Sequence, residues 1–157
     1  MTELDTIALI AHDRKKEEMI KFATKHKNFL SKFRLIATGT TGSKIHESAG
    51  LTVICKKSGP LGGDIEIASE VVNDNEINVL AVIFLVDPLF AQPHEPDIKA
   101  LIRICELYDI PFATNLASAE AIIHWLKDKN SYTSHPSLQR KTSVPSEHFS
   151  KQQQNIF

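Results

Sequence analysis

The chain has 157 residues, 42% of them hydrophobic, which suits one domain with one buried core. Lysine and arginine together number 18 and aspartate and glutamate 19, so the formal net charge is only -1. Because no surplus of basic residues is available to neutralise a phosphate backbone, nucleic acid is not an expected partner.

Cysteine usage and hydropathy bear on where the protein works. Cys55 and Cys105 both fall inside apolar runs, which predicts reduced thiols in core elements. The start of the chain lacks the charged-then-apolar pattern of a secretory signal. The longest apolar run, Val79–Val86, is far shorter than the roughly 20 residues that a membrane helix needs. We therefore expect a cytosolic protein that does not bind a membrane.

Short apolar runs alternate with helical patterns along residues 1–127. The runs predict strands buried on both faces at Thr6–Ala11, Arg34–Ala37, Leu51–Cys55, Val79–Val86 and Pro111–Ala113. The amphipathic patterns predict helices at Lys15–His26, Gly42–Ala49, Ile65–Asn73, Asp97–Tyr108 and Ser118–Lys127. Since parallel strands need right-handed helical crossovers, we predict an α/β fold. It is a single doubly wound domain whose five-stranded parallel sheet has helices on both faces, Rossmann-like or flavodoxin-like.

The composition changes after Lys127. Residues 128–157 are dominated by Ser, Thr, Pro, Gln, His and Lys and show no sustained apolar period. Such a composition is typical of a polar tail, much of which is mobile or loosely packed. We therefore divide the chain into an α/β domain at 1–127 and a polar C-terminal tail at 128–157.

Polar residues follow every predicted strand. In an open parallel sheet, ligands bind beyond the carboxyl ends of the strands, so these residues mark the expected site. In chain order they are His12, Asp13 and Lys16, then Thr38–Gly42, then Ser58–Asp64, then Asp87, His94, Glu95 and Asp97, and finally Thr114 and Asn115. Five strand ends in succession predict one polar active site at that edge of the sheet.

The Thr-Gly-Thr-Thr-Gly segment at 38–42 has the features of an anion cradle. Its backbone amides can converge on a phosphate at a helix N-terminus, its hydroxyls add donors, and glycine permits close approach. Lys16 can add a full positive charge. The same segment is equally compatible with an ordinary turn and helix cap.

Each remaining polar residue also has a purely structural interpretation. Asp64, Asp97 and Asn115 all stand where they can cap a helix, and His94 can be a solvated loop residue. Three glycines and one proline in Ser58–Asp64 specify a defined loop rather than a flexible one.

Other site chemistries fit the sequence poorly. No His-x3-His or Cys-x2-Cys spacing occurs, so no metal site is expected, and Ser58 lacks the Gly-x-Ser-x-Gly context of a nucleophile. What remains are phosphate-binding loops with carboxylates and imidazoles, which suit proton transfer on a small phosphorylated substrate.

These segments together resemble the methylglyoxal synthase family over about residues 6–126. The matching motifs are Ala11–Asp13, Ala37–Gly42, Ser58–Asp64, Asp87–Leu89, Pro93–Asp97 and Ala113–Asn115. The resemblance implies a carbon-oxygen lyase that converts dihydroxyacetone phosphate to methylglyoxal and inorganic phosphate through an enediolate, in a bypass of glycolysis. It further implies no cofactor, inhibition by inorganic phosphate, and a cytoplasmic homohexamer.

The resemblance also implies roles for individual residues. The expected catalytic residues are Asp64, His94, Asp97 and Asp87, with Asp64 as the base that removes a C3 proton and His94 acting on the substrate's oxygens. The expected substrate-binding residues are His12, Lys16, Thr38, Gly39, Thr40, Thr41, Ser58, Gly59 and His94. The family supplies a basic residue near its carboxyl end to the phosphate pocket, for which Arg140 and Lys141 are equal candidates. Glu95 stands where the family often has Asp.

Two other classes of function share this fold. A non-catalytic regulatory ligand-binding domain of the carbamoyl phosphate synthetase type uses similar Thr-Gly phosphate loops, but it does not need Asp64, His94 and Asp97. A receiver-type phosphoacceptor domain would need a cluster of acidic residues after the first strand and a lysine after the fifth, where Thr114 and Asn115 stand instead. Because fold alone does not determine function, the polar residues favour the enzyme.

Overall fold

The computed structural model describes residues 5–72 and 78–128, which form five strands and six α-helices. The strands are β1 (Asp5–Ala11), β2 (Arg34–Thr38), β3 (Ile54–Lys56), β4 (Asn78–Leu85) and β5 (Phe112–Ala113). The helices are α1 (Lys16–Lys25), α2 (Lys27–Leu30), α3 (Gly39–Ala49), α4 (Gly63–Val72), α5 (Glu95–Leu107) and α6 (Leu116–Lys127). Short 3-10 turns at Asp13–Lys15 and Gly59–Leu61 precede α1 and α4.

All strand pairs in the sheet are parallel, and the strand order is β3-β2-β1-β4-β5. The predicted doubly wound α/β fold is therefore confirmed, with the strand order of the Rossmann type rather than the flavodoxin type. The chain builds outward from β1 to β3 and then returns to place β4 on the other side of β1. This reversal opens a crevice between the carboxyl ends of β1 and β4.

Two apolar cores cover the two faces of the sheet. Ile7 and Leu9 of β1 point into a core shared with α1, α3 and α6, whereas Ala8 and Ile10 point into a core shared with α4 and α5. All residues of β1 and β4 are buried, as expected for central parallel strands. Because both faces are fully packed, the sheet holds its carboxyl-end loops in fixed relative positions.

The third strand departs from the prediction. It runs from Ile54 to Lys56 rather than over Leu51–Cys55, and Ile54 is 42% exposed. The prediction of burial on both faces was wrong here because β3 is an edge strand that pairs only with β2. The expectation that both cysteines lie in the core holds for Cys105 but is wrong for the exposed Cys55.

Several helix boundaries also differ. Helix α3 begins at Gly39 rather than Gly42, so the predicted Thr-Gly loop is the first turn of the helix. Helix α4 begins at Gly63, which places Asp64 in its first turn rather than at its N-cap. Gly and Thr have low helix propensity, so their presence at the start of α3 did not predict a helix there. Tertiary packing overrides that propensity in the folded chain. The short helix α2 was not predicted.

The far end of the chain is only partly described. Asn115 is the N-cap of α6, and its side-chain oxygen accepts a hydrogen bond from the backbone amide of Ser118 at 2.9 Å. Apart from Asp128, the predicted tail at 128–157 lies outside the described residues. Among the described helices, none combines the length and apolar character needed to cross a membrane.

Candidate active site

A cleft of about 440 Å³ lies at the carboxyl ends of the first three strands and beside the segment that follows β4. Its lining comprises Ile10, Ala11, His12, Asp13, Lys16, Thr38, Gly39, Thr40, Thr41, Ser58, Gly59, Pro60, Asp64, Phe84, Gln92 and His94. The cleft therefore has the position expected of a ligand site in an open α/β sheet.

The structure brings together every residue expected to bind substrate, together with Asp64 and Asp13. The prediction that all five strand ends meet at one site was wrong for the fifth strand. Thr114 and Asn115 line a separate groove beside Lys15 and Pro88, and Asn115 caps α6 instead. Arg140 and Lys141 lie outside the described residues.

Two expected catalytic residues, Asp87 and Asp97, are not among the residues that line the cleft. Asp87 is buried behind His12, and its backbone amide donates a hydrogen bond to His12 Nδ1 at 2.9 Å. Asp97 lies in the first turn of α5, close enough for its charge to act on Asp64. Both are therefore in position to act on cleft residues rather than directly in the cleft.

Several residues that line the cleft are not predicted by the sequence. Gln92 and Pro60 lie at the polar rim, and Ile10, Ala11 and Phe84 form an apolar floor. Gln92 stands two residues before His94 in the same proline-containing segment, which could have drawn attention to it. The sequence does not distinguish the floor residues from other core residues. Strands buried on both faces lack the alternation of apolar and polar residues that distinguishes one face of a sheet from the other.

One side of the cleft has the features of an anion cradle. Thr38 is the N-cap of α3 but makes no side-chain capping bond, and the start of a helix leaves backbone amides unpaired within the helix. Lys16 Nζ donates to Thr40 Oγ1 and lies 2.7 Å from Asp13 Oδ1. The Lys16 ammonium lowers the pKa of Asp13 through this hydrogen bond and through its charge. The cation is thus held beside the helix N-terminus, where an anionic group would be stabilised.

Close packing at two glycines shapes the turn before α4, which lies directly beside the anion cradle. A Cβ added to Gly63 would lie 1.8 Å from the Lys57 carbonyl oxygen, and one added to Gly59 would lie 2.6 Å from His94 Nε2. Backbone amides of Leu61 and Gly63 both donate to the Ser58 carbonyl and tighten the turn. Glycine at these two positions therefore lets α4 and the His94 ring approach the turn closely.

Asp64 is 0% exposed, and neither of its side-chain oxygens has a hydrogen-bond partner among the described residues. Burial raises its pKa to about 6; the charge of His94 opposes this shift and that of Asp97 adds to it. His94 Nε2 lies 3.5 Å from Asp64 Oδ2, close enough for electrostatic attraction but without hydrogen-bond geometry. A carboxylate with a pKa near neutrality is suited to act as a general base.

Two buried histidines face each other across the cleft, with ring centroids 5.9 Å apart. His12 Nδ1 accepts the Asp87 amide, so the proton of the neutral ring is on Nε2, which has no partner among the described groups. Burial, and then the charge of His94, lower the pKa of His12. His12 therefore offers a neutral N–H donor, while His94 Nδ1 is also without a partner in the described chain.

The fold and the cleft define a class of protein: an α/β domain in which a helix N-terminus suited to an anion and a buried carboxyl of raised pKa line one cleft. Within the described chain, no group of three or more His, Cys, Asp or Glu side chains could hold a metal ion.

Comparison with known proteins identifies the family. The family model of the MGS-like domain matches residues 18–114. The chain belongs to the methylglyoxal synthase family of enzymes. A methylglyoxal synthase of Thermus thermophilus is 52% identical over 124 residues, covering 79% of this chain and 96% of that protein. That of Enterococcus faecalis is 59% identical over 117 residues, covering 74% and 81% respectively.

A solved structure agrees with these sequence matches. The crystal structure of methylglyoxal synthase from Elizabethkingia anophelis superposes with a TM-score of 0.69 at 45% sequence identity. The match covers 78% of this chain and 79% of that one. The family assignment thus rests on both sequence and fold.

Replacing Asp64 with Asn should stabilise the protein at neutral pH. With a folded pKa of about 6 against an ordinary value of 3.8, the ionised carboxylate costs up to about 3 kcal/mol of folding free energy above pH 6. Below about pH 3 the carboxyl is protonated in both the folded and the unfolded chain, and this cost vanishes. Urea unfolding at pH 7.5 and pH 3 measures the difference, which should appear only at the higher pH.

The matched control is Glu47→Gln, which neutralises an exposed carboxylate and should change the free energy of unfolding little at either pH. An Asp64→Asn protein that is equally or less stable than the parent at pH 7.5 would contradict the assignment of a strained, buried charge.

Proposed function

We propose that the chain is a methylglyoxal synthase, a carbon-oxygen lyase that converts dihydroxyacetone phosphate to methylglyoxal and inorganic phosphate. The observation that carries the proposal is the buried, unpartnered carboxylate of Asp64, which faces His94 in a cleft bordered by the anion cradle. The names of the relatives support the same function. The substrate is accordingly a small molecule, and the phosphate of dihydroxyacetone phosphate suits the anion cradle that lines the cleft.

The first step in this proposal is proton abstraction. Asp64 removes a proton from C3, the hydroxymethyl carbon beside the ketone, and the C–H electron pair becomes the C2–C3 double bond of an enediolate. A proton next to a ketone is only weakly acidic, so a desolvated base and a donor to the developing oxyanion must act together. His12 Nε2–H and His94 are the donors available in the cleft.

The second step is elimination. His94 accepts the proton of the C3 hydroxyl, whose oxygen forms the aldehyde, and the double bond moves to the carbon that carries the phosphate. The C–O bond to phosphate breaks, and protonation of the resulting enol at carbon gives the methyl group of methylglyoxal. This bond breaks readily only if it is perpendicular to the plane of the enediolate. The orientation in which the cradle binds the phosphate therefore determines whether elimination or isomerisation follows.

We assign the phosphate to Lys16, the α3 N-terminus from Thr38 to Thr41, and Ser58. Lys16 supports this role because Asp13 and Thr40 already hold its ammonium group at the helix terminus. Gly59 contributes the space in which His94 approaches the substrate.

Asp87 and Asp97 have supporting roles in this proposal. The Asp87 amide keeps the His12 proton on Nε2, and the Asp97 charge helps to raise the pKa of Asp64. Each acts through another residue, so we class both as positioning residues rather than as groups that touch the substrate.

The same proposal includes a cytoplasmic homohexamer. Cysteines that are not joined in a disulfide support a reducing compartment. Exposed apolar side chains on β3, α4 and the turn before it support burial against further copies: Ile54, Leu61, Ile65 and Val72. Sedimentation should give a mass near six times the 17.5 kDa of the chain, and a monomer would contradict the homohexamer.

Inorganic phosphate should compete with the substrate for the cradle, and a lack of competition would contradict the assignment of the phosphate site.

The alternative, a regulatory domain that binds a ligand without chemistry, accounts poorly for Asp64. A binding module gains nothing from a buried carboxylate without hydrogen bonds, because an apolar residue there would cost less free energy. No observation favours the alternative over the enzyme.

The purified protein should convert dihydroxyacetone phosphate to methylglyoxal and phosphate in the presence of a chelator. Asp64→Asn should lower kcat by about a thousandfold, since loss of a general base typically costs about 10² to 10⁴. A colorimetric assay of methylglyoxal with parallel phosphate release measures both products. Binding without turnover by the parent protein would favour the regulatory domain, and full turnover by Asp64→Asn would exclude Asp64 as the base.

The pH profile should report the state of Asp64. Because Asp64 must be ionised and its pKa is raised to about 6, kcat/KM should fall below that pH. Asp97→Asn removes a charge that raises this pKa, so it should move the acid limb to lower pH. Glu106→Gln, which neutralises an exposed carboxylate further along α5, should leave the limb in place. A limb that does not move in Asp97→Asn would contradict the electrostatic link.

A further inference from the structure

The segment of residues 86–93, between β4 and α5, is the least enclosed wall of the cleft. It leads directly into His94 and carries Gln92, and both of these residues line the cleft. Its outer residues are open to solvent, with Leu89 81% and Phe90 47% exposed. Burial therefore contributes little to the position of the outer part of this segment, at Leu89 and Phe90, so specific contacts must hold that part.

Arg14 makes two of those contacts. Its guanidinium carbon lies 3.5 Å from the centroid of the Phe90 ring, and its Nε lies 4.0 Å from Asp87 Oδ2. A planar guanidinium can stack on an aromatic face while it faces a carboxylate, a geometry that Lys cannot reproduce. Arg14 thus joins the start of the segment, at Asp87, to its outermost part, at Phe90.

Arg14 itself lies in a turn beside residues that line the cleft. Arg14 belongs to the Asp13–Lys15 turn, which directly follows His12 and precedes Lys16. The same Asp87 that faces Arg14 also donates its amide to His12 Nδ1. Arg14 therefore fastens the wall that carries His94 to the turn that carries His12 and Lys16.

Two backbone amides of the segment donate hydrogen bonds to nearby carboxylates. The Leu89 amide donates to Asp87 Oδ1 at 3.0 Å, and the Gln92 amide donates to Glu95 Oε1 at 3.3 Å. Both bonds are local, and the first is accepted by the same Asp87 carboxylate that faces Arg14. The two amide protons consequently report on the local order of the segment.

We propose that Arg14, stacked on Phe90 and facing Asp87, is a positioning residue that holds the 86–93 segment closed so that His94 and Gln92 meet the substrate. The proposal rests on the proposed function for its kinetic consequence but not for its structural one. Loss of the stack releases the segment, and substrate binding must then close it again. Arg14 itself does not touch the substrate.

The expected size of the effect follows from the exposure of the pair. A solvent-exposed cation–π contact is worth about 0.5–1 kcal/mol, which corresponds to about a two- to fivefold change in the closed-to-open ratio. Arg14→Ala should raise KM by up to about that factor, because only the closed fraction binds substrate well. It should leave kcat within about twofold, since bound substrate holds the segment closed.

The test compares Arg14→Ala, Phe90→Leu and the double variant with the parent protein. Native-state hydrogen exchange should speed up about two- to fivefold at the Leu89 and Gln92 amides in both single variants, without further change in the double variant. Lys15→Ala is the matched control, because it removes the same charge from the same turn while leaving the stack intact. Its exchange and kinetics should equal those of the parent.

The outcomes separate this proposal from the proposed function. Unchanged exchange at Leu89 and Gln92 in Arg14→Ala overturns the proposal that Arg14 holds the segment, whether or not the protein turns over dihydroxyacetone phosphate. Faster exchange with an unchanged KM overturns the positioning role. Faster exchange with a raised KM that Phe90→Tyr restores relative to Phe90→Leu supports it, because tyrosine keeps the aromatic face. If the parent protein lacks turnover altogether, the proposed function fails, while the exchange experiment still tests whether Arg14 holds the segment.

Discussion

Burial of the Asp64 carboxylate is the constraint on which the rest of the site depends. An ionised carboxylate without hydrogen bonds is expensive to bury, so the surrounding structure must hold it in place. Helix α4 does so from both ends. Gly63 allows its start to pack against the Lys57 carbonyl, and Glu70 near its end pairs with Arg34 at 3.0 Å and Lys56 at 2.6 Å. These contacts fasten α4 to β2 and β3, and the free energy lost at Asp64 is offset by packing elsewhere.

The charges around Asp64 are arranged so that acid and base chemistry stay separate. His94 lies beside the carboxylate, whereas His12 is kept neutral by burial and by the hydrogen bond from the Asp87 amide. Lys16 and the α3 terminus supply the positive potential that a phosphate needs. The cleft consequently combines a buried carboxyl with an anion site.

Sequence reasoning found most of the cleft because the residues after parallel strands must meet at one edge of the sheet. Ten of the expected residues line the cleft for that reason: His12, Lys16, Thr38, Gly39, Thr40, Thr41, Ser58, Gly59, Asp64 and His94. The rule failed at the fifth strand, since β5 lies at the far edge and the cleft lies at the reversal between β1 and β4. Gln92 was missed because it stands well past the end of β4, and only the path of the following segment brings it to the rim.

The sequence by itself determined the doubly wound fold, the edge of the sheet that carries the site and the kinds of side chain found there. These follow from hydrophobic period and from the order of residues along the chain, which are local properties. The family resemblance had already pointed to Asp64 as the base, but only the tertiary structure gave a physical reason to prefer it to the other carboxylates. Asp64, Asp87 and Asp97 look alike in sequence, yet one is buried without partners, one is turned behind a histidine and one acts from the next helix. Their difference is one of desolvation and distance, and both depend on how separate helices pack rather than on any local pattern.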